Sequence, residues 1–467
     1  MIHFIQWTNS IKSTGRTCRM KQTVTYKAKI HSKYSKCFDD TVRIYREAVS
    51  FLIDVVLSDW GNLFPQSSVL RTNRIESLIH STSKRPHVQY PDFDKLFYKF
   101  PSYLRRSAIS LAIGKVATYK ALLKQWNENN ESNRGKAPGK PVAGYSFPAM
   151  YHDGQFLKTG TYTARIKVWV HNTWDWIDVS FRKSDIDYIQ NHCVAMHECS
   201  PVLLRKGRQW FLAFPFEEEC ILNETELSEQ TVIAVDLGIN SACTCCAMKS
   251  DGTVIGREFL SLPREEDSLK HRLNKVKKAQ RHGAKKTPAK WASVNAVNRH
   301  IAEQTAAFIT EVAMKYNATH IVFEHLDIRT RAKGKSKRQR LALWRYAEIQ
   351  GMVTVRAHRN GIRVSTVNAY ATSSLAYDGT GKVTRSKSNY SICTFSTGKQ
   401  YNCDLNAAYN IGARYFIREI TNNIKSLPGT VRLSIQAKVP ECFKRSTCTL
   451  STLLNLNAVI NSTSVAC

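Results

Sequence analysis

Two apolar runs in the second half of this chain, VIAVDLGIN from Val232 and ATHIVFEHL from Ala318, carry a carboxylate where the run breaks: Asp236 and Glu324. Neither run alternates apolar with polar, so each predicts a strand covered on both faces, the kind found inside a sheet with helices on either side. A third acid, Asp404, opens LNAAYNIGARYFIREI, whose periodicity predicts a helix. Two interior strands and a helix, each delivering one acid, confine this half to an α/β layer structure.

The chain around these acids is strongly cationic. Lys and Arg number 68 against 37 Asp and Glu, giving +31 and a pI near 9.7. Such a surplus over 467 residues points to a polyanionic partner, and 43% hydrophobic residues provide folded cores for two or three domains. No apolar run reaches the ~18 residues of a membrane span. The opening MIHFIQWTNS lacks a signal peptide's charged and apolar regions. A prokaryotic cytoplasmic, nucleoid-associated protein with reduced, scattered cysteines is expected.

Residues 22–31 alternate as a strand, and from Asp39 or Asp40 a helix is expected, with Val42, Tyr45, Val49, Leu52 and Val56 on one face. A second helix spans 102–126, and ENNESNRGKAPGKP over 128–141 is a linker. Strands follow at 162–170, 176–181 and 208–216, rich in aromatic and β-branched residues. Their tryptophans, and Phe211, suit a core more than a base-stacking platform. After the strand ending at Asp236, Asp251-Gly252 turns a hairpin, residues 262–318 are helical, a helix lies around 344–356, and IRVSTVN adds a strand.

The words VDLGIN (235–240), VFEHL (322–326) and DLNAAYNI (404–411) occur in an order that resembles the three RuvC segments of the TnpB and Cas12 lineage of RNA-guided DNA endonucleases. Residues 345–374 are similar to that lineage's helix–strand–Thr-Ser passage. The resemblance implies a multidomain α/β fold: a C-terminal RNase H-like RuvC nuclease domain with a helical insertion (229–371 and 402–425), and an N-terminal β-barrel-like wedge domain (1–35 and 142–228) interrupted by a helical recognition domain (36–141). A degenerate zinc-ribbon-like insert at 372–401 would bind the target nucleic acid, and 426–467 is a C-terminal tail.

It further implies that Asp236, Glu324 and Asp404 are catalytic metal ligands. They would hold two Mg²⁺ ions ~3.5–4 Å apart, with Mn²⁺ able to substitute. The partners implied are guide RNA, target double-stranded DNA and its displaced single strand, with no membrane; monomer and dimer on one RNA both stay open. The alternatives are an RNA-guided DNA-binding protein that does not cleave, and an unguided RuvC-like or transposase-associated nuclease.

The chain departs from the lineage in the insert. The expected Cys-x-x-Cys pairs fall on Ala376 and Gly379, then Cys393 and Ser396. One thiol of four cannot make a structural zinc site, so none is expected. Tyr377, Tyr390, Phe395 and Tyr401 are expected to fill the space. Cys243, Cys245 and Cys246 lie on a strand whose alternation sends them to different faces, which favours packing over metal. The basic runs 270–290 and 329–340 suit phosphate contact, with Lys333, Lys335, Lys337 and Arg338 as the candidates in the second.

Overall fold

The computed structural model describes residues 12–13, 17–64, 66–128, 135–238, 243–326, 343–385, 389, 391–425, 429–443 and 447–464. The chain is a multidomain α/β protein that divides into two compact units. One is built on Thr23–Glu218 and the other on Glu219–Cys467 together with the segment ending at Gln22.

The first sheet has eight strands: β1 (Lys12–Ser13), β2 (Thr17–His31), β3 (Phe156–Gly160), β4 (Thr163–Val170), β5 (Thr173–Phe181), β6 (His197–Glu198), β7 (Val202–Lys206) and β8 (Gln209–Asn223). Pairing runs β3-β4-β5-β2-β8-β6, with β1 on β2 and β7 on β8. Among the described residues this path ends at β3 and at β6. Four helices fall between β2 and β3: α1 (Ser35–Ser58), α2 (Ser68–Ile79), α3 (Asp92–Leu96) and α4 (Ser102–Glu128).

The expected face of α1 is buried throughout, against Leu104, Ile109 and Val116 of α4. The helix begins four residues before Asp39, because Phe38 is drawn onto the Trp210 ring at 5.4 Å. That tertiary contact overrides the acidic start signal. Helix α5 (Lys183–His192) was not anticipated, since only Ile186 and Ile189 of its ten residues are buried.

The second sheet is mixed, with strand order β11-β10-β9-β12-β13. Its strands are β9 (Thr231–Asp236), β10 (Cys243–Lys249), β11 (Val254–Leu260), β12 (His320–His325) and β13 (Arg363–Asn368). β12 pairs in parallel with both β9 and β13, while β10 is antiparallel to β9 and β11. The β10–β11 turn places Gly252 at φ +91°, where only glycine sits without strain.

Both faces of this sheet are covered. Helices α7 (Pro288–Lys315) and α8 (Tyr346–Arg359) pack on Ile233, Val235, Ile321 and Phe323. Helix α9 (Cys403–Ile424) packs on Val232, Ala234 and Val322. The charged helix α6 (Pro263–Arg281) pairs with α7, and each starts on a proline, whose missing N–H is no loss in a first turn.

The expectation of a tail after residue 425 is corrected. Helices α10 (Gly429–Lys438) and α11 (Leu450–Ser464) bury Ile435, Leu450, Leu453 and Leu456 over α9, with Val439 just past the end of α10. They enclose α9, which is buried on nearly every side. The polar residues Asn, Ser and Thr scattered through α11 blunt the periodicity that would have announced it.

Candidate active site

The strands dictate where two of the acids point. In the parallel β9–β12 pair, Val322 lies beside Ala234 and Phe323 beside Val235. The next residue on each strand is Asp236 and Glu324, so the two acids leave the sheet abreast. Side chains alternate, and Val232, Ala234 and Val322 face α9. Asp236 and Glu324 therefore face α9 as well.

Asp404 lies in the first turn of α9, behind an Asn402 cap whose side chain accepts the Leu405 N–H at 2.9 Å. Negative charge is favoured at this end of a helix. The helix sits hard on the sheet: a Cβ at Gly412 would meet Met248 Sδ at 3.0 Å and the Ala234 Cβ at 3.3 Å. Glycine there is what lets the helix carrying Asp404 approach the strand carrying Asp236.

The three acids are each half-buried, reached by solvent but surrounded by protein. Burial raises the Asp236 carboxyl well above the ordinary range, and the negative fields of Glu324 and Asp404 raise it further. The Arg385 guanidinium, on β14 (Thr384–Arg385), opposes this. Burial also raises Glu324, against the Thr372 hydroxyl bond and the Arg414 charge that hold it down. An edge with this much clustered negative charge is electrostatically short of cations.

Among the described residues no group of three or more His, Cys, Asp or Glu side chains forms a ready-made set for one ion. The donor set is all oxygen, the choice of a hard cation.

Sequence reasoning missed the groups around the acids. Thr372 donates its hydroxyl to Glu324 Oε1. Gln350 of α8 adds its side-chain amide: Nε2 donates to the Glu324 carbonyl at 3.4 Å and to the Tyr346 hydroxyl at 2.6 Å. Arg385 Nη2 donates to the Ser373 carbonyl at 3.3 Å. Thr372-Ser373 was visible as a family word, but its contact with a glutamate 48 residues away was not. The candidate cations Lys333, Lys335, Lys337 and Arg338 lie outside the described residues, as does Tyr390.

The insert is filled by aromatic rings. Tyr377 lies 5.5 Å from Phe395, 5.1 Å from Tyr401 and 5.1 Å from Tyr409. Lys399 Nζ sits 5.0 Å from the Tyr377 ring centroid and 5.4 Å from that of Tyr401, and donates to the Tyr377 hydroxyl at 2.8 Å. Cys393 is buried with Ala376, Phe395 and Cys403. In the sheet, Cys243 and Cys245 join the α7 side and Cys246 the α9 side. Burial pushes the Cys246 thiol up to about 12, which makes it inert.

Comparison with known proteins follows the same lines. A family model described as Cas12f1-like, TNB domain, matches residues 346–411, the stretch containing Thr372, Arg385 and Asp404. The chain is similar to the compact Cas12/TnpB-like nucleases. A solved Cas12f1–sgRNA–target DNA complex is 14% identical, with 80% of this chain and 82% of that chain covered and a TM-score of 0.50. The mini-RNA-guided endonuclease CRISPR-Cas_phi3 is 11% identical, covering 83% and 92%, with a TM-score of 0.42. C2c1 of Alicyclobacillus acidoterrestris with single-guide RNA is 12% identical, covering 82% and 67%, with a TM-score of 0.33. At these identities the likeness is one of fold, and the Cas12f1 complex carries it. A model of the Aq_aa04 family matches residues 22–170, and no curated protein matches. Among the described residues no helix is long and apolar enough to cross a membrane.

Proposed function

We propose that this protein is an RNA-guided DNA endonuclease with one RuvC-type site formed by Asp236, Glu324 and Asp404. The observation that carries the reading is the convergence of three acids from two parallel strands and a helix start on one sheet edge, where burial and then the fields of the other two raise Asp236. The β11-β10-β9-β12-β13 order, with α9 across the face beneath the acids, supports an RNase H-like assignment for the second sheet. The eight-stranded sheet and helices α1–α4 then correspond to wedge and recognition elements. Guide RNA and target DNA are the partners, as in the complex it is similar to.

Asp236, Glu324 and Asp404 would hold two Mg²⁺ ions, which when bound supply Lewis acidity for the attacking water and the leaving 3′-oxygen. The chain's own residues prepare that chemistry. Asp236 lies between the fields of the other two acids and is suited to be the shared ligand. Thr372 and Gln350 fix Glu324 at its carboxylate and its carbonyl. Arg385 offers an exposed guanidinium beside the acids, placed to pair with a phosphate oxygen of the strand being cut. Pairing with the guide would supply most of the sequence specificity, while protein cations grip the backbone.

The test is to sequence the RNA that copurifies with the full chain, then assay a matching DNA target with Mg²⁺. A defined scaffold RNA and guide-directed cleavage are expected, with a 5′-phosphate product. Nucleic-acid-free protein that still cuts would replace guiding with the unguided reading; guided binding without cutting would replace cleavage with the binding-only reading.

A further inference from the structure

Helix α9 carries a buried polar stripe at four-residue spacing: Asn406, Asn410 and Arg414. Such residues inside a packed core demand partners, and most of them lie in one stretch of chain, 368–377; beyond it, Arg414 Nε donates to the Cys448 carbonyl at 3.0 Å and Asn410 Oδ1 accepts the Leu450 N–H at 3.3 Å. Asn406 Nδ2 donates to the Leu375 carbonyl at 2.9 Å and its Oδ1 accepts the Tyr377 N–H at 2.8 Å. Asn410 Nδ2 donates to the carbonyls of Thr372 and Leu375, both at 2.9 Å. Arg414 Nη1 donates to the carbonyls of Asn368 and Tyr370, at 2.8 and 2.7 Å.

The stripe thus fastens the backbone on both sides of Thr372, and Asn410 fastens Thr372 itself. Thr372 is 3% exposed, and its hydroxyl reaches Glu324 Oε1. The hydroxyl has one proton and a second acceptor nearby, the Ala369 carbonyl at 3.2 Å. A carboxylate is the stronger acceptor of the two. Occupying one oxygen of Glu324 leaves the other for an ion.

We propose that Thr372 is a positioning residue that locks the Glu324 carboxylate in its metal-holding orientation, and that Asn410 of α9 sets Thr372 in place. One helix then fixes two acids: Asp404 directly, in its first turn, and Glu324 through the stripe and Thr372. The proposal rests on the metal-site reading above. Partners of this kind around metal ligands typically change metal affinity or activity by about 10- to 100-fold.

The experiment compares Thr372→Val, which keeps the shape and removes the hydroxyl, with Thr372→Ser, which keeps the hydroxyl. Mn²⁺ is titrated into the full chain freed of nucleic acid and followed by electron paramagnetic resonance, with melting midpoints confirming folding. In parallel, the Mg²⁺ concentration for half-maximal cleavage is measured with guide and target. Thr372→Val is expected to weaken Mn²⁺ binding by about 10-fold or more and to raise the Mg²⁺ requirement, with target binding unchanged and Thr372→Ser close to wild type. Asp236→Ala is the control. Weakened Mn²⁺ binding in Asp236→Ala with wild-type binding in Thr372→Val overturns the positioning role alone. Wild-type binding in both variants overturns the metal site and the positioning role together. A Thr372→Ser variant as weak as Thr372→Val also overturns it, because the hydroxyl would then not be the cause.

Discussion

The acid edge and the insert at 372–401 meet the same end of α9, yet they treat charge in opposite ways. At the edge, three acids share one half-buried place, and burial and mutual repulsion raise Asp236. In the insert, Lys399 has a phenol to bond and aromatic faces around it. The charge on Lys399 is therefore met by its own neighbours, whereas the Asp236 carboxyl is set against burial and two further acids. Such a contrast between neighbouring places is what the proposed site of chemistry rests on.

The largest expected effect breaks the edge. Asp236→Asn should lower cleavage at least about 1,000-fold while leaving target binding intact, measured by single-turnover cleavage beside filter binding. The same variant should melt higher than wild type without metal. A carboxyl raised by folding costs free energy when ionised, a cost that grows as pH rises above its unfolded value, and the neutral amide removes it. Mg²⁺ at about one hundred times its Kd should stabilise wild type by about 2.7 kcal/mol and the variant by far less. Equal stabilisation of both would remove the contrast between edge and insert.

Acid should next test the body of the second unit. Burial lowers His320 and His358 to about 4, both neutral when folded. The unfolded chain binds protons more tightly, so stability falls as pH drops from about 6.5 towards 4, by at most about 3 kcal/mol per histidine. Urea melts at several pH values would show it, and His320→Gln should flatten the curve.

In the insert, Tyr377→Ala removes three ring contacts and should cost about 2 kcal/mol, read by denaturant melts. A zinc chelator should leave the wild-type melt unchanged, and a fall would restore a metal to the insert. Arg385→Ala should slow cleavage by about 10-fold with little effect on melting, because its side chain is exposed. Lys399→Met should give the smallest change, a slight fall in melting midpoint, since its contacts are at the surface.

Much of the acid edge was legible because strands read plainly when both faces are buried. The runs at 232–236 and 320–324 cannot alternate, and their first polar residue marks where the cover ends. The face of α1 was legible for a similar reason, its period, although its start was not. What escaped depended on distant partners. Thr372 looks like any loop threonine until Glu324 is beside it, and Arg385 like any surface arginine until its field reaches Asp236. Helices α10 and α11 escaped because their apolar residues complete a cover over α9 rather than form a stripe of their own.

By itself the sequence determined the buried strands ending at Asp236 and Glu324, the helix that begins beside Asp404 and the buried face of α1, because local periodicity and burial are written residue by residue. Only the tertiary structure decided that β9 and β12 run parallel and in register, that Gly412 lets α9 press against Ala234, and that Thr372 reaches Glu324. Those outcomes depend on close packing between segments far apart in the chain, and no local pattern encodes the distance between them.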